Sequence, residues 1–307
     1  MLVMLRLSLG LLLLLSLPLQ ATDWPRQVIS ADGVVLELQQ QPQRILSTSV
    51  TLTGSLLAID APVVASATAN NGVFFDQWAA LAEQRGVQRL WPAGSIDLEA
   101  AYVQAPDLIV VSSEGADSAL SQVAELRNIA PTLVLSYGDR DWQDLVRQLG
   151  EALGLEAQAE ARIRGFGLRL QQVRSGIVVP PGNVNIISYN GAGMPNPIAT
   201  PRGAHGRLLA ALGFRIEAPE PAWHSGLDSP ESFVRSEYEY LTRLQADTSF
   251  LLRRAPADTS AFVGDPVLAN LPSVRAGQVR GLGRNSFRID FFSASEIVDG
   301  IEQGFAR

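Results

Sequence analysis

The chain has 307 residues, with 24 basic and 31 acidic side chains and a formal net charge of -7, so it is long enough for one large domain or two lobes. All the basic residues are arginine, and the acidic balance excludes a polycation that coats nucleic acid without sequence preference. Hydrophobic residues make up 47% and charged residues 18%, which is typical of a folded protein. The absence of cysteine excludes disulfides, thiolate metal sites, cysteine nucleophiles and lipid attachment through cysteine.

The first 21 residues predict a cleaved secretory signal. Arg6 precedes an apolar run over residues 7–17, and Ala21 provides a small residue at the cleavage site. An apolar core of about 7–15 residues suits a signal, whereas a membrane span needs about 20, so an uncleaved anchor is the alternative. We therefore expect a mature protein that is free in the periplasm, without a lipid anchor and not embedded in the membrane.

Short apolar runs alternate with helical segments along the rest of the chain. Residues 27–40 predict a hairpin that turns at Asp32 and Gly33. The alternation after it predicts parallel α/β sheets. The predicted strands are 44–47, 63–65, 108–111, 133–135, 184–188, 248–252 and 279–282, and helices are predicted at 53–59 and 208–212.

A single long amphipathic helix is predicted near the middle of the chain, over residues 153–177. Its apolar residues recur at spacings of 3 and 4, which places them on one helical face. Gly165 and Gly167 weaken the helix by about 1 kcal/mol each relative to Ala. Twenty residues of helix span about 30 Å, so the segment can join an N-terminal lobe of residues 22–152 to a C-terminal lobe of residues 178–307.

The two predicted lobes share short sequence features. The sequence GSLLA at 54–58 recurs as GRLLA at 206–210, each time after a strand and a polar loop. In each lobe a glutamate, Glu99 or Glu239, lies eight residues before the aspartate that opens an apolar strand. The predicted fold class is therefore α/β, with two similar Rossmann-like lobes joined by the single long helix.

Sequence signatures of enzymes are scarce in this chain. It contains no G-x-S-x-G turn, no P-loop and no H-E-x-x-H motif, and Gly281-x-Gly283 does not complete a dinucleotide fingerprint. Its two histidines, His205 and His224, each lack a second histidine at metal-ligand spacing. Both histidines could still face one pocket from neighbouring loops.

The loops that follow the predicted strands are the candidate site, because ligands bind beyond the carboxyl ends of strands in open parallel sheets. In the second lobe these loops carry arginines, both histidines and aromatic residues. Arginine donates planar pairs of hydrogen bonds and stacks on rings, so this edge predicts an anionic, flat or aromatic ligand. For any single arginine, a surface ion pair is the alternative. The candidate ligand-binding residues are Ser47, Thr48, Trp91, Tyr189, Arg202, His205, His224, Arg254, Arg284 and Arg288.

Three segments resemble a known family. They are PQRI at 42–45 with the following residues 47–62, APTL at 130–133, and FRIDFFS at 287–293. They resemble the periplasmic ferric-enterobactin-binding proteins, within the larger family of siderophore, haem and cobalamin binding proteins that feed ABC importers. The resemblance implies two α/β lobes joined by one long helix, and an anionic iron(III) tris-catecholate as ligand.

The resemblance also implies roles for individual residues. Arg254 and His224 fall near positions that hold catecholates in related proteins. The tyrosine with which relatives reach the iron falls near Phe291 or Phe292, which cannot ligate iron, so a fully coordinated hexadentate complex is favoured over a direct metal site. Glu114 stands at the position of a first-lobe arginine, so this lobe is expected to contribute aromatic and hydroxyl contacts instead.

The surface glutamates Glu99 and Glu239 match those that dock to arginines of the permease in the wider family. The resemblance implies a periplasmic receptor for a ferric catecholate siderophore, ferric enterobactin or a close relative. Such a receptor makes and breaks no bond, needs no cofactor and delivers its ligand to an inner-membrane ABC permease.

Three alternatives remain open. One is a haem or hydroxamate-siderophore binding protein of the same fold, and another is a periplasmic esterase that cleaves the siderophore backbone with a convergent Ser, His and Asp. The last is a structural cell-envelope protein, which the loop arginines disfavour.

Overall fold

The computed structural model describes residues 24–138, 140–226 and 229–307. The predicted signal at residues 1–21 lies outside the described residues. Within them, no helix combines the length and the apolar character that a membrane crossing requires.

The predicted hairpin is confirmed. Strands β1 (Arg26–Ile29) and β2 (Val35–Leu38) pair in antiparallel fashion, and Gly33 has a φ of +83° in the turn. The Ser30 hydroxyl accepts a hydrogen bond from the Val134 backbone N–H at 2.8 Å, which attaches the hairpin to the N-terminal lobe.

The N-terminal lobe is built on a sheet of five parallel strands, β3 (Ile45–Ser47), β4 (Val63–Thr68), β5 (Gln88–Pro92), β6 (Leu108–Ser112) and β7 (Thr132–Leu135). Their order across the sheet is β5, β4, β3, β6, β7. The three central strands and β7 are almost entirely buried because helices cover both faces. Within this sheet, edge strand β5 was not predicted from the sequence, since most of its side chains are polar or exposed.

The described residues of this lobe form the helices α1 (Val50–Ala58), α2 (Asp76–Gln84), α3 (Leu98–Val103), α4 (Val123–Leu126) and α5 (Trp142–Leu153). A short 3-10 helix, Leu120–Gln122, precedes α4. Helix α1 begins three residues before its predicted start, because the Ser49 hydroxyl accepts from the Leu52 backbone N–H and caps it there.

The predicted connecting helix is α6 (Glu156–Gly176). Leu153, where the prediction began, ends α5 instead, and Gly154 terminates that helix in the left-handed conformation with a φ of 69°. The bounds of the two lobes, 22–152 and 178–307, stay a prediction.

The C-terminal lobe also has a five-stranded sheet, made of β8 (Val184–Ile187), β9 (Asn196–Ala199), β10 (Phe233–Ser236), β11 (Thr248–Leu251) and β12 (Val279–Gly281). The order is β10, β9, β8, β11, β12. Strands β8, β11 and β12 are parallel, but β9 and β10 run antiparallel to their neighbours, so the expectation of a parallel sheet was wrong at this edge. The loop between β8 and β9 is too short for a crossover helix, and a short connection forces antiparallel pairing.

The helices of this lobe are α7 (Ala204–Ala211), α8 (Ser260–Val263), α9 (Pro272–Arg275) and α10 (Phe291–Phe305), with 3-10 helices at Pro221–Trp223 and Tyr238–Arg243. Helix α10 packs against α6 and also against α1 and α2 of the other lobe. The two lobes therefore meet along α10 as well as through α6.

The lobes share one hydrophobic core at this joint. The rings of Trp142, Phe166 and Phe291 contact one another edge to face, with centroids 5.1 Å to 6.3 Å apart. Each sheet also carries one smaller apolar cluster on its other face. The predicted fold class is confirmed: two α/β lobes are joined by one long helix.

Candidate ligand-binding cleft

A cleft of about 480 Å³ opens between the two lobes. The N-terminal lobe contributes the loop between β4 and α2 and the loop after β6, and the C-terminal lobe contributes the residues that follow β11 and β12. These segments lie beyond the carboxyl ends of parallel strands, where ligands bind in open α/β sheets. The charged and aromatic residues that line the cleft are Phe74, Phe75, Asp76, Asp117, Arg253, Arg284, Phe287 and Arg288.

Arg253 sits on the C-terminal wall of the cleft. Its φ is 59°, and its backbone N–H donates to the Ser286 hydroxyl at 3.0 Å. Its guanidinium carbon lies 3.7 Å from the centroid of the Phe287 ring, a cation–π stack. Burial lowers the pKa of Arg253, and the positive charges of Arg288 and Arg254 lower it further. Positive charge is thus concentrated on this wall.

The opposite wall, on the N-terminal lobe, carries the aromatic rings of Phe74 and Phe75 together with the carboxylates of Asp76 and Asp117. Phe74 and Phe75 lie in the loop before α2, and the Phe74 ring packs 5.1 Å from that of the buried Trp78. Asn70 and Asn71 lie in the same loop and line the cleft, where they offer amide donors and acceptors. A ligand between these walls meets arginines on one side, and rings, amides and two carboxylates on the other.

Arg288 lies at the seam between the lobes. Its Nη1 donates to the Thr51 hydroxyl at 3.0 Å and to the Tyr137 hydroxyl at 3.4 Å. The Tyr137 hydroxyl donates to Asp117 Oδ1 at 3.1 Å, and Asp117 Oδ2 accepts from the Ser49 hydroxyl at 2.6 Å. Burial raises the pKa of Tyr137, and the charge of Asp117 raises it further, so its proton stays in place.

A second contact across the seam joins Gln77 to Asp290. Gln77 Nε2 donates to Asp290 Oδ2 at 3.2 Å, and Asp290 caps α10 by accepting from the Ser293 backbone N–H at 2.8 Å. Burial raises the pKa of Asp290. A Cβ on Gly54 of α1 would lie 2.7 Å from that carboxylate, so only glycine permits this close approach.

Glu114 was expected near a first-lobe ligand position, but its carboxylate accepts hydrogen bonds from the loop after β7. One carboxylate oxygen accepts from the Ser136 hydroxyl at 2.9 Å and from the backbone N–H groups of Tyr137 and Gly138 at 2.5 Å each. This carboxylate fixes the loop that carries Tyr137.

The cleft brings together only two of the ten residues predicted at the ligand, Arg284 and Arg288. Arg202 instead has a side chain 77% exposed, lies 3.8 Å from Glu231 and lines a separate surface cavity. Arg254 is not among the residues that line the cleft, and its Nη1 lies 3.8 Å from Asp258.

The two histidines lie away from the cleft lining. His205 is buried in α7, where its Nε2 donates to the backbone carbonyl of Ser286 at 2.7 Å, and desolvation lowers its pKa to about 4. His224 Nδ1 accepts from the Arg235 backbone N–H at 3.1 Å beside edge strand β10. His205 therefore supports the segment that carries Phe287, and it is not among the residues that line the cleft.

The polar and aromatic candidates are also used inside the protein. Ser47 and Thr48 are buried and donate to the backbone carbonyls of Ser49 and Val110. Trp91 is 6% exposed and packs into the outer apolar cluster of its lobe.

Tyr189, the remaining aromatic candidate, is held within the C-terminal lobe. Its hydroxyl donates to Asp265 at 2.5 Å, and Tyr238 donates to the same carboxylate at 2.6 Å. Burial and these hydrogen bonds raise the pKa of both tyrosines, that of Tyr238 to about 12. The pair therefore stays protonated and ties the loop after α8 to the lobe.

Sequence reasoning missed Arg253, Phe74, Phe75 and Phe287 as cleft residues. Arg253 and Arg254 both follow an apolar strand, so the sequence marked the place but not which of the two faces inward. Phe74 and Phe75 stand in a loop between a strand and a helix, and their position after a strand was the available signal.

The fold and the cleft define a class III periplasmic binding protein, in which two α/β lobes are joined by a single long helix and hold a ligand between them. Residues 45–285 match the family described as "Periplasmic binding protein". Because the match covers most of the chain, the protein belongs to that family.

Individual relatives agree with this placement. The chain is 42% identical over 310 residues to the ferric enterobactin-binding periplasmic protein FepB of Escherichia coli O6:H1, with 96% of each chain covered. The crystal structure of holo-ViuP is 51% identical with a TM-score of 0.89, covering 93% of this chain and 96% of that one. Staphylococcus aureus SirA, solved with staphyloferrin B, is 17% identical with a TM-score of 0.70 over 91% of this chain and 96% of that one, which shows the shared fold.

Proposed function

We propose that this protein captures a ferric catecholate siderophore, ferric enterobactin or a close relative, in the cleft between its lobes and presents it to an inner-membrane ABC permease. The observation that carries the proposal is that Arg253, Arg284 and Arg288 of the C-terminal lobe line one cleft together with the rings of Phe74 and Phe75 of the N-terminal lobe. The 42% identity to FepB, whose name states ferric enterobactin binding, supports the same ligand.

The chemistry of the cleft suits the charge and shape of such a complex. Guanidinium groups donate to catecholate oxygens and stack on catechol rings, and they remain charged at any pH of the periplasm. The net negative charge of the whole chain makes this local concentration of arginines a feature of the site and not of the protein at large.

The iron is proposed to be held by the siderophore alone, as a hexadentate complex. The basic lining residues are arginines, which have no lone pair to offer a metal. Phe291, which falls near the iron-reaching tyrosine of relatives, packs against Trp142 and Phe166 in the joint between the lobes. We propose accordingly that the protein needs no cofactor and catalyses no reaction.

Delivery is proposed to use Glu99 and Glu239. Glu99 lies in the first turn of α3 and Glu239 in the 3-10 helix before β11, and both are exposed. Exposed carboxylates in each lobe can pair with permease arginines. We also propose that the chain reaches the periplasm through a cleaved signal at residues 1–21.

The alternatives make different demands on the protein. A haem or hydroxamate-siderophore binder would use the same cleft with a different ligand preference. A siderophore esterase would need a histidine beside a serine hydroxyl, but His205 is buried and donates to the carbonyl of Ser286.

Quenching of tryptophan fluorescence tests the ligand. Trp78 packs against the lining residue Phe74 with centroids 5.1 Å apart, so an iron complex in the cleft lies near a fluorophore. We expect ferric enterobactin to quench at micromolar concentration, and haem, cobalamin and a ferric hydroxamate to do so weakly or not at all. Native mass spectrometry of the same mixtures gives the stoichiometry.

Strong quenching by haem or cobalamin, with none by ferric enterobactin, would move the ligand assignment within the family. Linearised siderophore recovered after incubation would instead establish the esterase.

A further inference from the structure

Arg288 belongs to the C-terminal lobe, but its guanidinium is held by the N-terminal lobe. Its Nη1 makes both contacts across the seam, to Thr51 at 3.0 Å and to Tyr137 at 3.4 Å. A guanidinium carries five N–H donors in a planar fork, so Arg288, which lines the cleft, keeps donors on its other nitrogens beyond those used in these two hydrogen bonds.

The contact with Tyr137 leads to a buried negative charge. The Tyr137 hydroxyl has one hydrogen, which it donates to Asp117 Oδ1 at 3.1 Å, and it accepts from Arg288 with its oxygen. Asp117 is 3% exposed, and its Oδ2 accepts from the Ser49 hydroxyl at 2.6 Å and the Thr51 backbone N–H at 3.0 Å. The Tyr137 hydroxyl thus links the Asp117 carboxylate to Arg288, and the negative charge of Asp117 stabilises the positive charge of the guanidinium.

The turn after β6 is shaped to place that hydroxyl. Glu114 binds the backbone N–H of Tyr137, and Asp117 binds its side chain. Between them, Gly115 has a φ of +83°, and a Cβ there would lie 1.9 Å from the Tyr137 hydroxyl. Three residues of one turn thus converge on Tyr137, which does not itself line the cleft.

We propose that Tyr137 and Asp117 are positioning residues for ligand capture, which hold the guanidinium of Arg288 in its binding orientation before the ligand arrives. This proposal rests on the proposed function, because it assumes an anionic ligand in the cleft. A long side chain that is ordered in advance loses less entropy on binding, which raises affinity.

Removal of the single hydroxyl tests the proposal. By titration calorimetry with ferric enterobactin, Tyr137→Phe is expected to bind about tenfold more weakly, the effect of one hydrogen bond to a charged group. The matched control is Tyr238→Phe, which removes a hydroxyl bonded to Asp265 away from the cleft and should leave affinity unchanged. Equal affinity of Tyr137→Phe and the wild type would overturn the proposal.

A double-mutant cycle separates positioning from general loss of structure. In an Arg288→Gln background, Tyr137→Phe is expected to have little further effect on affinity, because the hydroxyl acts through the guanidinium. Additive losses would show that Tyr137 acts without Arg288, which overturns the proposal.

Asp117→Asn is expected to change the affinity for the ligand in opposite directions, depending on whether Asp117 repels the ligand or positions Tyr137 and Arg288. If Asp117 only repels an anionic ligand, its neutralisation strengthens binding. If it positions Tyr137 and Arg288, binding weakens in spite of the lost repulsion, and this is the expected result.

Failure of the proposed function is distinguishable from failure of this inference. A wild-type protein that does not bind ferric enterobactin contradicts the ligand assignment. Denaturant unfolding of the four ligand-free proteins of the cycle then measures the coupling of Tyr137 to Arg288 directly. Zero coupling in that measurement overturns the positioning role.

Discussion

Arg253 and Arg254 are adjacent in the chain, yet only the first lines the cleft. Arg253 has a φ of 59°, which turns the chain sharply after β11 and lays its guanidinium on the Phe287 ring. Arg254 instead lies 3.8 Å from the Asp258 carboxylate. The two residues therefore form a matched pair with the same charge and different positions.

We expect Arg253→Gln to weaken the binding of ferric enterobactin about tenfold or more, since it removes a charged hydrogen-bond donor from the cleft. Arg254→Gln should change the dissociation constant by less than about threefold, because a solvent-screened charge contributes little. Fluorescence titration at two salt concentrations measures both effects. A larger loss for Arg254 than for Arg253 would contradict the assignment of the cleft wall and favour the position expected from the sequence.

His205 makes the stability of the protein depend on pH. Burial lowers the pKa of its imidazole to about 4, whereas an unfolded chain has a histidine pKa of about 6.5. The unfolded state therefore binds more protons between these values, and stability falls as pH falls from about 6.5 towards 4. We expect this loss of stability to reach about 3 kcal/mol, at about 1.4 kcal/mol per unit of pKa shift.

Denaturant unfolding at a series of pH values measures this dependence. His205→Gln keeps an amide donor for the Ser286 carbonyl but cannot titrate, so its stability should fall less steeply over the same window. Identical slopes for the variant and the wild type would show that other groups account for the acid sensitivity.

Among the secondary-structure elements, those with strong local signals were predictable. Apolar runs such as 108–111 marked the central strands, and the 3–4 spacing marked α6 in spite of Gly165 and Gly167. Strand β5 escaped because an edge strand need not be apolar, and β9 escaped because Asn196 and Pro197 disfavour a strand in isolation.

The candidate site was predictable as a place but not residue by residue. The rule that ligands bind after parallel strands selected the C-terminal-lobe loops that line the cleft, after β11 and β12, but not the loop between β4 and α2 that carries Phe74 and Phe75. Which side chain of a loop turns towards the cleft depends on contacts between residues distant in sequence. One example is the hydrogen bond from His205 of α7 to the backbone carbonyl of Ser286. Such contacts leave no local pattern in the sequence.

Helix α6 contains glycines that its packing does not require. A Cβ on Gly165 or Gly167 would meet no atom within 4 Å, so Ala fits without displacement. We expect Gly165→Ala and Gly167→Ala to raise the free energy of unfolding by about 0.5–1 kcal/mol each, since glycine costs that much in a helix interior.

Gly150 of α5 provides the control for these substitutions. A Cβ there would lie 2.7 Å from Ala159 Cβ of α6, so Gly150→Ala should destabilise the protein although it also raises helix propensity. Thermal or denaturant unfolding of the three variants checks the pattern. Stabilisation by Gly150→Ala would mean that α5 and α6 do not pack as closely as described.

The two lobes are held together by more than one kind of contact. In addition to α6 and the shared core, Arg288 contacts Thr51, Gln77 contacts Asp290, and Arg207 Nε donates to Asp141 at 3.0 Å. The first two contacts lie beside the cleft, whereas the third lies next to a separate cavity between α5 and α7. Contacts distributed in this way resist hinge motion about any single axis.

We therefore expect ligand capture to change the separation of the lobes by less than about 2 Å, the size of rearrangement that marks a flexible complex. The sequence contains no cysteine, so cysteines introduced at Val103 and Val267 are the only labelling sites. Both positions are exposed, at 75% and 50%, and lie in different lobes. Pulsed electron resonance between spin labels at these sites measures the distance with and without ferric enterobactin, and cobalamin serves as the control for unspecific effects. A shift of several ångströms, or two distances in the free protein, would show that the contacts across the seam open and that α6 bends.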